Sequence, residues 1–462
     1  MNVANKIAFY HTTNQKLMTI HNYGLRVWNI DYKQKKILFT DLQMGQIKRI
    51  YQCIVISPDD SCCFLGTMTG DIIEINLNMN LFKRIGPAKR LFSQGINCLS
   101  FLPNGDLLVG GGDGTIAKID TNKMLVKSEG KVMGACTSIS LTSDGSHFFA
   151  GTSKATIYWC NSNSIAPELR NTCHSERIND IAFPGGYSEL FATASVNDIR
   201  VWNAKTRQEL LRIEVPGLEC YTVKFMSDGK SILSGWNDGK IRSFLPQSGK
   251  LFYAINDAHN HGVTSLMPTN DCQRIVSGGM EGEVRIWKIG QQTQIMEASL
   301  KEHRGRVADI QISHNDTQAV SASYDGSCII WDIVTHVRIK CLFESTMFKQ
   351  VVFHPDESQL LTTGSDRKIT YWDCFDGQAI RMLDGSQSGE LNALAIMQEG
   401  EHFISGGEDK VVRLWDYDEG ISYYSGVGHS GGITKVRIQI IPNLSCLDCY
   451  LSKPRIHCHW WL

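Results

Sequence analysis

Hydrophobic and polar positions alternate along the chain in short runs, and the stretch Val320–Asp332 (VSASYDGSCIIWD) shows the unit from which the rest is built. Two β-prone runs flank Asp325-Gly326, a dipeptide suited to a tight turn, so the stretch predicts a hairpin. Upstream, Glu302-His303 precedes Val307–Ile312 (VADIQI), which predicts one more strand. Together these make three strands of one small antiparallel sheet.

The slot filled by Trp331 recurs through the chain. Trp28, Ile75, Ile119, Trp159, Trp202, Phe244, Trp287, Trp331, Trp372 and Trp415 occupy it, at intervals of 40 to 47 residues with a mean of 43. A period of roughly 40–45 with a Trp-Asp ending marks WD-repeat blades, and setting four-stranded blades radially leaves few exposed sheet edges. Ten anchors in register therefore predict an all-β chain of tandem WD-repeat β-propellers, built of four-stranded antiparallel blades. Turn chemistry agrees. Pro58, Pro103, Pro184 and Pro355 fall at one phase of their repeats, where a fixed φ suits a type I turn, and Asn104-Gly105, Asp144-Gly145 and Asp228-Gly229 fall there too.

The repeats are uneven. Before Lys16–Ile20 and Leu25–Trp28 only Asn5–Phe9 is available as a first strand, which predicts a chain that begins inside a repeat. Blades anchored on Ile119 and Trp159 carry little of the polar signature, whereas from about residue 170 it sharpens. The polar segment Asn161–Arg170 lies between the two sets and predicts a boundary between propellers. An eleventh repeat opens at Gly428–Ile438 and loses its register after Gln439, leaving a divergent tail read as disordered.

One blade spells out a buried polar relay. His303, Ser321, Asp325 and Trp331 fall where an Asp-His-Ser-Trp hydrogen-bond chain can cross the sheet, the indole N–H needing a buried acceptor. The same residue types spell a hydrolase triad. No Gly-x-Ser-x-Gly elbow surrounds Ser321, however, so the relay predicts a structural role and no catalytic residue. Ser277 with Glu281, Ser234 with Asp238, Thr362 with Asp366 and Ser405 with Asp409 carry parts of it without a clearly placed histidine. Trp28, Trp159, Trp202, Trp287, Trp372 and Trp415 are the corresponding structural anchors.

Other motifs read as turns or accidents. Gly110–Gly114 (GGGDG) and Ser277–Gly282 (SGGMEG) sit inside predicted hairpins and open no helix, which excludes a phosphate loop, so no cofactor is expected. Cys446 and Cys449 with His457, Cys458 and His459 have zinc-like spacing. One such cluster on a segment that interrupts the repeat predicts no metal site.

Composition narrows the function. Lys plus Arg number 46 and Asp plus Glu 47, so no global field draws in nucleic acid, and no basic block marks a membrane surface. No signal peptide or spanning segment opens the chain. Fifteen cysteines, mostly single within strands, read as small buried hydrophobes in a reducing, intracellular compartment.

A narrower likeness rests on Gly45–Ile50 (GQIKRI), Leu65–Asp71 (LGTMTGD), Glu189–Thr193 (ELFAT), Trp236–Arg242 (WNDGKIR), Ser277–Arg285 (SGGMEGEVR), Ser365–Ile369 (SDRKI) and Gly426–Gly431 (GVGHSG). Through these the chain, from about residue 40 to 438, resembles the cilia- and flagella-associated WD-repeat proteins whose members bind inside axonemal doublet microtubules. The resemblance implies two seven-bladed propellers in tandem. Residues 1–165 would then be about four blades of the first, residues 166–438 six blades and the start of a seventh of the second, and 439–462 the tail. Ten repeats against fourteen imply a chain shortened at both ends, with neither ring sure of closing. The function implied is a non-enzymatic scaffold of the ciliary axoneme, binding tubulin and neighbouring proteins, with no nucleic acid, membrane or small-molecule substrate. A soluble adaptor, such as a ubiquitin-ligase substrate receptor or signalling scaffold, is the alternative, since a fold alone does not name a function. No binding residue carries over from the resemblance.

Overall fold

The computed structural model describes residues 4–438, apart from 23, 46, 88–89, 186–188 and 291–292. The tail with its Cys446, Cys449, His457, Cys458 and His459 lies outside the described residues, as does its reading as disordered. Among the described residues all regular structure is strand, and no helix is long and apolar enough to cross a membrane.

The hairpin at Val320 shows why these residues fold as they do. Gln318–Ser323 pairs antiparallel with Ser327–Asp332, setting Ala319 opposite Trp331 and Ser321 opposite Ile329. Gly326 closes the turn at a φ of 83°, and a Cβ there would sit 2.7 Å from the Glu344 carbonyl, so glycine is required on both counts. Val307–Ile312 pairs on one side and Val337–Phe343 on the other, completing four strands in sequence order. Five of six residues in each of the two central strands are buried, while the fourth strand is largely exposed.

This blade is repeated, and the chain divides into two compact units, Met1–Ser175 and Glu176–Leu462. The first unit holds four such sheets, spanning Ala4–Asp41, Tyr51–Gly86, Ile96–Lys131 and Cys136–Thr172. Ala4–Phe9 pairs with Lys16–His21, so the first blade has all four strands. Pro167–Thr172 pairs with Thr156–Asn161, so the stretch read as a boundary carries the outer strand of the fourth blade. Its polar face fits that place, because four of its six residues are exposed.

In the second unit two long runs, Leu190–Asn203 and Glu209–Phe225, join the fifth and sixth blades into one hydrogen-bonded sheet. The first run folds back at Asn197, where φ is 70°, since Trp202 Nε1 donates to Thr193 Oγ1 at 2.8 Å. Blades seven to ten span Val263–Leu300, Val307–Phe343, Phe348–Asp384 and Leu391–Val427. The core lies between blades. Val320, Cys328 and Ile330 of the eighth, for example, pack with Phe348, Leu360 and Trp372 of the ninth.

Gly432–Ile438 continues this packing without a paired strand of its own. Ile433 and Val436 are buried against Ala393, Ile404 and Leu414 of the tenth blade, and Ile433 N–H bonds the Gly407 carbonyl at 2.9 Å. On its other side Thr434 Oγ1 donates to the carbonyl of Ile178, the first residue of the fifth blade, at 2.7 Å. This one segment bridges the first and last blades of the unit.

Candidate functional site

Two features converge on the interior of the second unit: the relays within blades and the ring of first strands that surrounds its axis.

In the eighth blade Trp331 Nε1 donates to Ser321 Oγ at 2.8 Å, and Ser321 Oγ lies 2.6 Å from His303 Nε2. His303 Nδ1 is 2.8 Å from Ser327 Oγ and 3.4 Å from Asp325 Oδ2, while Ser327 donates to Asp325 Oδ1 at 2.6 Å. The indole can only donate, and among the described residues the Ser321 hydroxyl has Nε2 as its one acceptor, so Ser321 donates there and the imidazole proton sits on Nδ1 facing Ser327 and Asp325. Every group is satisfied in one direction by a neutral histidine. Ser321 is fully buried, accepting from Trp331 and donating to His303, which suits a packing role and offers no nucleophile to solvent.

Burial pushes the His303 imidazole below its ordinary value of 6.5, with Asp325 pulling the other way. Protonation is thus harder in the folded chain than in the unfolded one. The relay's contribution is complete above pH 6.5 and is lost as pH falls below it. Acidification from pH 7.5 to 5.5 is expected to cost the native chain more stability in urea unfolding than it costs His303→Gln, and equal losses would contradict the neutral assignment.

A second complete relay sits one blade earlier, where the spacing of residues showed no histidine. His259 Nε2 is 2.9 Å from Ser277 Oγ, His259 Nδ1 is 2.7 Å from Glu281 Oε1, and Trp287 Nε1 donates to Ser277 at 2.9 Å. Burial alone would raise the Glu281 carboxyl, but His259 and backbone N–H groups hold it at about 2. Four further blades make the indole bond: Trp28 to Thr19, Trp202 to Thr193 and Trp372 to Thr362 at 2.8 Å, and Trp415 to Ser405 at 2.9 Å, with His21 Nε2 also 3.4 Å from Thr19 Oγ1. Trp159 differs. Gly151 stands where the hydroxyl would be, and the indole stacks on His147 with ring centroids 4.9 Å apart, half-buried. In the sixth blade Phe244 fills the anchor slot, and Trp236 instead supplies the indole to Ser234 at 2.8 Å.

The first strand of each blade is bulged at its second residue, which turns that side chain toward the neighbouring blade. Asn179 Nδ2 donates to the Cys220 carbonyl at 2.8 Å, Thr264 Oγ1 to Val307, and Asn392 Nδ2 to Ile433 at 3.1 Å. In the first unit Asn5 and Asn97 reach Tyr51 and Cys136 in the same way, each at 3.1 Å. Each clasp ties one blade to the opening residue of the next, and Thr434 to Ile178 is the same contact made across the ends of the second unit.

The next position inward carries charge. Asp180 accepts from Lys224 Nζ at 2.7 Å, Thr222 Oγ1 at 2.9 Å and Val223 N–H at 3.1 Å, and Lys435 Nζ reaches Asp309 Oδ1 at 3.1 Å. Burial would raise the Asp180 carboxyl, but Lys224, Lys435 and Arg437 facing it hold it well below the usual carboxylate range. Beyond this layer an axial cavity of about 520 Å³ opens among Lys224, Met267, Gln311, Val352 and Arg437. Among the described residues no cluster of His, Cys, Asp and Glu has the makings of a metal site.

Comparison with known proteins decides the family. The family described as "WD domain, G-beta repeat" matches residues 88–119, 250–288, 295–332, 344–373 and 377–416. Cilia- and flagella-associated protein 52 of Homo sapiens is 46% identical over 440 residues, covering 95% of this chain and 71% of that protein. The Bos taurus and Chlamydomonas reinhardtii proteins of the same name are 47% and 48% identical, with the same shares covered. The chain belongs to the cilia- and flagella-associated protein 52 family. Membership agrees with the likeness carried by the hairpin motifs and with the all-β, four-stranded blades. In this member of the cilia- and flagella-associated protein 52 family, the relay residues His303, Ser321, Asp325 and Trp331 are brought together in one blade. His259, the clasps and the Asp180–Lys224 pair were missed by sequence reasoning. The clasps did leave a signal, a polar residue directly after the apolar opening of a first strand, as in Ile96-Asn97, Ile178-Asn179, Leu391-Asn392 and Ile433-Thr434.

Proposed function

We propose that this cilia- and flagella-associated WD-repeat protein is a non-enzymatic scaffold of the axoneme that binds tubulin and neighbouring proteins inside doublet microtubules. The observation that carries the reading is likeness of 46–48% identity across 95% of the chain to proteins named for cilia and flagella. The physical arrangement supports it. Blades clasped to their neighbours offer broad surfaces that lose little freedom on binding, and low ordering cost favours durable contacts. The buried Ser321 hydroxyl, spent on Trp331 and His303, supports a role without catalysis. On this reading the domain plan is part of one propeller, ending with the strand Pro167–Thr172 rather than at residue 165, and most of a second from the start of the second unit up to residue 438.

The test is retention. A protein tagged in an exposed hairpin and expressed from its own locus is expected to remain with doublet microtubules after salt extraction of axonemes. Release into the soluble fraction, or expression in cells without cilia, would replace this reading with that of a soluble adaptor.

A further inference from the structure

Three bulged positions of the second unit make no clasp: Tyr221, Ala308 and Lys349. Two of them turn instead to a single group. Arg306 precedes the first strand of the eighth blade and Tyr324 lies in the hairpin above it, where Tyr324 N–H bonds the Arg306 carbonyl at 2.9 Å. The Arg306 guanidinium carbon is 5.4 Å from the Tyr221 ring centroid and 5.5 Å from that of Tyr324. Lys349 Nζ is 4.4 Å from the Tyr324 ring and 3.3 Å from its hydroxyl. Rings and cations alternate through four half-buried residues drawn from three blades.

The charges around this stack are unequal in what they have. Arg177 is paired with Glu219 and Lys349 with Glu390, each at 2.8 Å. Among the described residues Arg306 has no ion-pair partner, and its buried Nε makes no hydrogen bond. Aromatic faces attract the guanidinium charge but accept none of its five N–H donors as a carboxylate does. A carboxylate fills that fork in a bidentate manner. Tyrosine and arginine are also the side chains in which interface energy concentrates, being large and held by few rotors or a planar fork.

We propose that Tyr221, Arg306, Tyr324 and Lys349 form a docking site for a carboxylate-bearing segment of a partner protein. An aspartate or glutamate side chain enters the Arg306 fork, the tyrosine rings wall it from water, and Lys349, held by Glu390, braces the Tyr324 ring at the rim. The site neither requires the axonemal location nor uses any residue of the relays or clasps.

Fluorescein-labelled hexaglutamate titrated with the intact chain, followed by anisotropy, tests this. The native chain is expected to bind hexaglutamate, to ignore hexaglutamine, and to lose affinity as salt rises. Arg306→Met is expected to bind about tenfold to a hundredfold more weakly, the range for a lost hydrogen bond to charge. Lys230→Ala, at a remote exposed turn, should bind as the native chain does. Thermal melting checks that Arg306→Met is folded. If it is not, Arg306→Lys, which keeps the charge and loses the fork, is read in its place and is expected to bind severalfold more weakly. No binding of hexaglutamate, equal binding of hexaglutamine, an equal loss in Lys230→Ala, or native affinity in the folded arginine variant would each overturn the proposal. Retention of any of these variants on axonemes is a separate readout, so the two proposals fail independently.

Discussion

Asp180→Ala is expected to cost about 3–5 kcal/mol, the range for breaking a buried ion pair from one side. Asp180 is 3% exposed and Lys224 8%, so neither charge has water to fall back on. Removing the carboxylate strands the Lys224 ammonium among Lys435 and Arg437 and takes the acceptor from Thr222 and Val223. The position is also structural in another sense, since it lies on the ring of first strands that surrounds the axis. Two further results would identify the mechanism. In the variant, burial and the two remaining cations depress the Lys224 pKa below its unfolded value, so stability should recover as pH rises from 7 toward 9.5 and the ammonium is discharged. Asp180→Ala combined with Lys224→Met should regain much of the loss, because an apolar side chain of similar length leaves no stranded charge. Urea unfolding of the three chains at both pH values is the measurement. A double variant as unstable as the single one would show that the pair is not what Asp180 contributes.

How much of this was legible in the sequence depends on the reach of each interaction. The blade could be read because its determinants are local: the Asp325-Gly326 turn, period-two runs, and an anchor repeating every 43 residues on average. The hydroxyl and the indole of a blade are also linked by register. Wherever the anchor is Trp and its acceptor position is Ser or Thr, the bond forms, as for Trp202 and Thr193 or Trp415 and Ser405. Where the anchor is Ile75 or Ile119, that position holds Leu65 or Val109, and the pair is buried as hydrocarbon. Trp159 shows the rule from the other side, since Gly151 offers no acceptor and the ring stays half-exposed on His147.

His259 was missed because it enters its blade from the preceding loop, 18 residues before Ser277. That separation is the same as between His303 and Ser321, so comparing the two blades directly would have placed it. The charged layer was hidden for a different reason. Asp309 meets Lys435 across 126 residues, and no local pattern announces a contact of that span. The clasp at Thr434 is intermediate. Its residue type was visible in the repeat, but its partner, Ile178, lies 256 residues away and is set only by the fold.

Ser321→Ala is the second large effect expected, at about 2–6 kcal/mol, and its size follows from counting orphans. The Ser321 hydroxyl serves two buried partners at once, accepting from Trp331 and donating to His303. Each buried polar group left unpaired costs about 1–3 kcal/mol, and alanine leaves two. Ser405→Ala makes the comparison fair. Ser405 is equally buried and occupies the same register in its blade, but Trp415 is its sole side-chain partner among the described residues. That substitution leaves one orphan and should cost about 1–3 kcal/mol. Small differences in packing are common to both, because each change removes one oxygen from the same strand position. Urea unfolding followed by tryptophan fluorescence, a signal of the whole chain's ten tryptophans, measures both losses as global stabilities. A loss in Ser321→Ala roughly twice that in Ser405→Ala supports the relay as a network of satisfied groups. Equal losses would mean that His303 finds another donor without cost, and that the relay is not what holds the eighth blade's interior in one arrangement.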